Sequence, residues 1–145
     1  MEDFVPNELA KKLREKGFRE LCTHFYRNGN LTPVGMFCGI RSNTHHAWSF
    51  NSMKVKLKDT HEIVQFNIVN APTIPQVLKW LRKNHNLDIS TKSYPCEDGL
   101  RWECCVRKFS PVLVCELVNK TGFQEPEQSA LAGINYILDN LIQND

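Results

Sequence analysis

Period-two alternation and two well-punctuated helical segments predict an α+β domain, with two to three helices packed on one face of a mainly antiparallel sheet. Three observations carry this. The centre of the chain, Asn70 to Ile89, reads strand, capped helix, strand. Residues 126–142 repeat apolar side chains at helical spacing. The segments around them alternate apolar and polar residues, the mark of half-buried strands. The element order is α-β-β-β-β-α-β-β-β-α, and 145 residues point to one domain spanning 1–145.

Residues 7–16 read as the first helix. Asn7 suits the N-cap, Leu9, Ala10 and Leu13 form the apolar stripe, and Gly17 suits the stop, with Phe18 packing back on the helix. The Lys11-Lys12-Leu13-Arg14 run alternates with Glu8 and Glu15, so it reads as a solvated face. A strand is expected around Leu21 to Tyr26, ended by the turn Asn28-Gly29-Asn30, and a second one over Val34 to Ile40. Arg41 to Ser52, with His45, His46 and Trp48, reads as a loop. Met53–Lys58 and Glu62–Val69 both alternate and form a hairpin.

Pro72 ends that strand, because proline disfavours helix in the residue before it. Thr73 caps the central helix with Gln76 three residues on, and Pro75 falls in the first turn, where its missing N–H costs nothing. Ile74, Val77, Leu78 and Leu81 face one side, with Trp80 at the border of the stripe. Arg82 and Lys83 suit the negative helix end, and Asn84 and Asn86 terminate it. Leu87–Lys92 is a strand, and Pro95–Gly99 a turn. In Leu100–Phe109, Leu100, Trp102, Cys104 and Val106 oppose Arg101, Glu103, Cys105 and Arg107, which predicts one buried side. Val112–Val118 is β-branched and apolar and reads as a more buried strand, with a loop over Asn119–Phe123. Pro126 opens the last helix, whose core positions are expected at Leu131, Ile134, Leu138 and Leu141.

No apolar run approaches the ~20 residues of a membrane span, and the N-terminus lacks the cationic and apolar regions of a signal peptide. A cytoplasmic protein without membrane contact is expected. Six cysteines, two of them adjacent at Cys104-Cys105, then read as reduced thiols. The net charge of +2 hides an asymmetry. Residues 1–108 hold 17 Lys+Arg against 11 Asp+Glu, and residues 109–145 hold one against five.

Cys22, His24, Cys38, His45, His46 and His61 lie in one half of the chain, but none has the spacing of a strong zinc site. No metal or other cofactor is expected. No glycine-flanked elbow or helix N-terminus activates a cysteine. His45, His46, Trp48, Trp80 and Arg101 are the candidate ligand-binding residues, as aromatic, imidazole and guanidinium groups able to stack or hydrogen-bond. The leading expectation is a non-enzymatic binding protein with a protein partner and no nucleic acid. The alternative is a small hydrolase or transferase with a Cys or His nucleophile.

Three segments bear a resemblance: Leu-Ala-Lys-Lys-Leu-Arg-Glu-Lys-Gly-Phe at 9–18, Asn70 to Asn86, and Glu-Gln-Ser-Ala-Leu-Ala-Gly-Ile at 127–134. Together they resemble a group of short uncharacterised proteins of gut Bacteroidales genomes and their phages or mobile elements. Residues 30–62 fall outside the resemblance. It implies a phage or mobile-element accessory protein and assigns no site. Residues 73–143 also follow the helix, three strands, helix order of a double-stranded RNA-binding domain. That domain places lysines at the start of its last helix. Here Gln124-Glu125-Pro126-Glu127-Gln128 stands there, and its acids repel phosphate.

Overall fold

The computed structural model describes residues 3–33, 52–56, 61 and 63–144. Its elements follow the expected order: α1 (Asn7–Glu15), β1 (His24–Arg27), β2 (Asn30–Pro33), β3 (Ser52–Lys56), β4 (Ile63–Ala71), α2 (Ile74–His85), β5 (Leu87–Cys96), β6 (Gly99–Ser110), β7 (Leu113–Phe123) and α3 (Pro126–Asn140). All strand pairs are antiparallel. The strands form two sheets where a single one was expected: β2-β1-β4-β3 and β5-β6-β7. The chain correspondingly gathers into two compact units, one running from Phe4 to Pro72 and the other taking in Thr73–Gln143 with Asp3.

In the first unit α1 packs on β4. Pro6, not Asn7, is the N-cap, and it offers no side-chain oxygen to the first N–H groups. At the other end, Gly17 adopts φ 93°, the left-handed conformation that glycine takes without a Cβ penalty. Phe18 N–H then donates to Leu13 C=O (3.0 Å) and Gly17 N–H to Arg14 C=O (3.2 Å), a Schellman stop. Phe18 and Leu13 are both buried, together with Val5, Leu9, Ala10, Phe25, Ile68 and Val69. Asn28 and Gly29 both have positive φ, as a two-residue type I′ hairpin requires, and Arg27 pairs with Asn30. The first strand therefore starts later than expected, at His24, and β2 follows the turn at once. The expected strand Val34–Ile40 and the loop carrying His45, His46 and Trp48 lie outside the described residues. β3 and β4 pair as the expected hairpin, with Met53 opposite Phe66.

In the second unit α2 begins as the sequence dictates: Thr73 Oγ1 accepts from Gln76 N–H at 3.3 Å, and Pro75 occupies the first turn. Asn86, at φ 53°, ends it in the left-handed region. Both α2 and α3 lie against β5, and α3 also crosses β6 and β7. Ile74, Val77, Trp80, Leu81, Leu87, Ile89, Cys104, Val106, Ile134, Ile137 and Leu138 are buried. The stripe of α3 is rotated from the expected one. Ser129, Ala130, Gly133, Ile134, Ile137 and Leu138 are its buried residues, whereas Leu131 is half-buried and Leu141 exposed. The cause is close approach of the small residues: a methyl group on Gly133 would lie 3.0 Å from Ile89 Cγ2.

β7 departs furthest from expectation. It continues through the expected loop to Phe123, past register shifts between Trp102 and Cys104 and between Val106 and Arg107. It is also exposed along most of its length, not buried. Two causes act together. β7 is an edge strand, and β5 begins only at Leu87, opposite Lys108, so among the described residues no third strand lies beyond Lys108.

Candidate functional site

Trp80 is buried and meets His85 edge-on, with ring centroids 4.7 Å apart. It is core, so its ring is not offered to a ligand. Burial holds the His85 imidazole below its ordinary value. Arg101 sits beside the Glu97-Asp98 turn that joins β5 to β6 and pairs with Asp98 at 2.6 Å. The structure does not bring Trp80 and Arg101 to one surface. His45, His46 and Trp48 lie outside the described residues.

Among the described residues Cys22, Cys96, Cys104, Cys105 and Cys115 form no disulfide, and Cys38 lies outside the described residues. Burial pushes the Cys104 thiol up, and burial followed by the neighbouring Glu116 carboxylate pushes Cys105 up. Both shifts favour the unreactive thiol over the thiolate nucleophile. Cys22 and His24 do not form a ligand pair: Cys22 is buried beside the Glu20 carbonyl, and His24 stacks with Phe4 at 4.5 Å. Among the described residues no group of three His, Cys, Asp or Glu converges.

Paired charges gather around β5 and β6, with Arg82 contributed by α2. Arg107 donates to Asp88, Arg82 approaches the same carboxylate at 3.7 Å, and Lys92 meets Glu103 at 3.8 Å. Alternation places Glu103, Cys105 and Arg107 on the face opposite the helices because Cys104 and Val106 point into the core. On the helix side, a groove of about 430 Å³ runs between the first turns of α2 and α3 and strand β5, lined chiefly by Ile74, Pro75, Leu78, Ile89 and Ala130. Among the described residues no histidine or cysteine lines it.

The feature that sequence reasoning missed is the finger formed by the ends of β6 and β7. Val112 is 93% exposed, Leu113 65% and Val114 60%, and Leu117 is exposed further along the same edge. Three consecutive apolar residues at a hairpin tip are not needed for a turn, which polar and glycine residues serve better. Pro111 beside Ser110 was the available signal that a turn, not a core strand, begins there. β7 adds backbone N–H and C=O groups on its unpaired side.

Comparison with protein-family models, curated proteins and solved structures finds no match for this chain.

Proposed function

We propose that this chain is a non-enzymatic binding module for a protein partner, engaged through the β6–β7 finger and the free edge of β7. The observation that carries the reading is the exposed run Val112-Leu113-Val114 continuing into a strand that, among the described residues, is unpaired on its outer side. An edge of this kind accepts an extended segment by backbone hydrogen bonding, and the apolar tip supplies burial on contact. Two further observations support a binder over a hydrolase or transferase. Among the described residues no histidine or cysteine lines either cavity, and the Cys104 and Cys105 thiols are shifted away from nucleophilicity. The resemblance to phage and mobile-element proteins suits an accessory protein acting by contact inside a host cell.

The test is cross-linking with mass spectrometry in host cells, comparing the native chain with a Val112→Asp/Val114→Lys variant. Both positions are exposed, so the variant keeps its fold. A protein cross-linked to the finger in the native chain and lost in the variant supports the proposal. A partner that persists in the variant overturns it, as does a hydrolytic or transfer activity abolished by replacing one histidine or cysteine.

A further inference from the structure

The second unit carries an apolar knob and an apolar groove at opposite ends. The knob is the tip of the β6–β7 finger, where Val112 and Leu113 are exposed. Lys108 pairs with Cys115 and Ser110 with Leu113, so Lys108 and Leu113 share one face of the finger. Residues 108–115 hold this one cation and no acid. The groove, of about 430 Å³, has Ile74, Pro75, Leu78 and Ile89 in its walls and two acids, Asp3 and Glu127, in its lining. The backbone fixes Asp3 there, since Ile74 N–H donates to Asp3 C=O at 2.9 Å. Among the described residues no ion pair takes up Lys108, Asp3 or Glu127.

The tip cannot fill the groove of its own chain. Phe109 N–H at the root of the finger donates to Asn86 C=O, at the C-terminal end of α2, whereas the groove lies at the first turn of that helix. From the tip, β7 runs 11 residues before α3 opens at the groove, a span of about 30 Å at ~3.3 Å per residue. We infer that the groove receives the finger tip of a second copy of this chain, so that copies associate head to tail. The inference rests on the reading of the finger as a protein-binding element and names its partner. Aliphatic side chains of the tip leave water against the apolar walls. Lys108 comes with them toward Asp3 and Glu127, a match that sets orientation more than strength. The contact is heterologous: each copy keeps one unused knob or groove, so assembly continues into a ring or a filament. One hairpin tip covers little surface beside the ~1,200–2,000 Å² of a stable interface, so association needs high concentration.

Sedimentation of the full chain from micromolar to millimolar concentration tests this with two variants. Val112→Asp places a carboxylate on the tip, and Thr91→Arg places a bulky cation in the groove lining; both positions are exposed, so the fold is kept. The native chain should rise with concentration from 16.8 kDa to at least twice that mass. Each variant alone should stay at the mass of one chain. An equimolar mixture should form a pair and stop there, because it joins one intact knob to one intact groove. A native chain that stays monomeric overturns the inference, as does either variant associating like the native chain, or a mixture that stays monomeric. If the native chain is monomeric while the finger still cross-links to another protein, the head-to-tail contact falls and the protein-binding reading stands.

Discussion

At the scale of single residues, side-chain chemistry is set by burial more than by residue type. His85 stands against the buried Trp80 ring, and its pKa is held down by burial. The unfolded chain therefore binds a proton that the folded chain resists, and stability rises with pH across the window below about 6.5. Thermal melts should show the native chain losing more stability between pH 8 and pH 5 than His85→Gln does. Equal losses would show that His85 does not contribute. The cysteines divide in the same way. Cys96 and Cys115 are exposed, and Cys22 and Cys104 are buried. Alkylation under native conditions should modify Cys96 and Cys115 first and reach Cys22 and Cys104 only on unfolding. Early labelling of Cys104 would contradict the packing described for β6.

At the scale of elements, α3 shows packing overriding pattern. Leucine spacing pointed to Leu131 and Leu141, but the helix turns its small residues toward the sheet. Close contact then gains more than two partly covered leucines lose. Ile134→Ala should cost about 2–5 kcal/mol in denaturant titration, because Ile134 is fully buried. A loss below ~0.5 kcal/mol would mean that α3 does not pack on the sheet. Gly133→Ala sets two effects against each other. Alanine favours helix by about 1 kcal/mol over glycine. The added methyl would meet Ile89, a buried β-branched side chain with little room to move, at 3.0–3.1 Å, and overpacking of that kind costs about 1–3 kcal/mol. A net loss is expected, and a net gain would show that Ile89 relaxes.

At the scale of the whole molecule, charge placement decides what the chain can bind. The surplus of lysine and arginine in residues 1–108 suggests a polyanion partner. The structure neutralises part of it locally: Arg107 and Arg82 at Asp88, Lys92 at Glu103, Arg101 at Asp98. Counterion release needs several cations aimed along one backbone. The second unit has the helix, three strands, helix order of an RNA-binding domain, but Glu127 stands in the first turn of its last helix. Anisotropy titration with duplex or single-stranded DNA or RNA at physiological salt should stay in the non-specific range of ~10⁻⁴–10⁻⁶ M. Nanomolar affinity with a steep salt slope would refute this.

The sequence by itself determined the element order, the start of α2 at Thr73, the stops at Gly17 and Asn86, and the tight turn at Asn28-Gly29. Each of these rests on a local rule: a hydroxyl reaching an N–H three residues on, or a backbone conformation that asparagine and glycine tolerate. Only the tertiary structure decided that the strands divide into two sheets, that Val112–Val114 face solvent, and which side of α3 is inside. These depend on which strands end up as edges and where a neighbouring strand begins, and apolar composition reads the same for a buried strand and an uncovered one. The polar cavity beside α1 is the same kind of case. Asn7, Lys11 and Arg14 look like a solvated helix face in the sequence, and only the fold brings Tyr26, Asn28 and Gly29 to the same cavity, because a cavity is made by convergence of distant segments and no single segment records it.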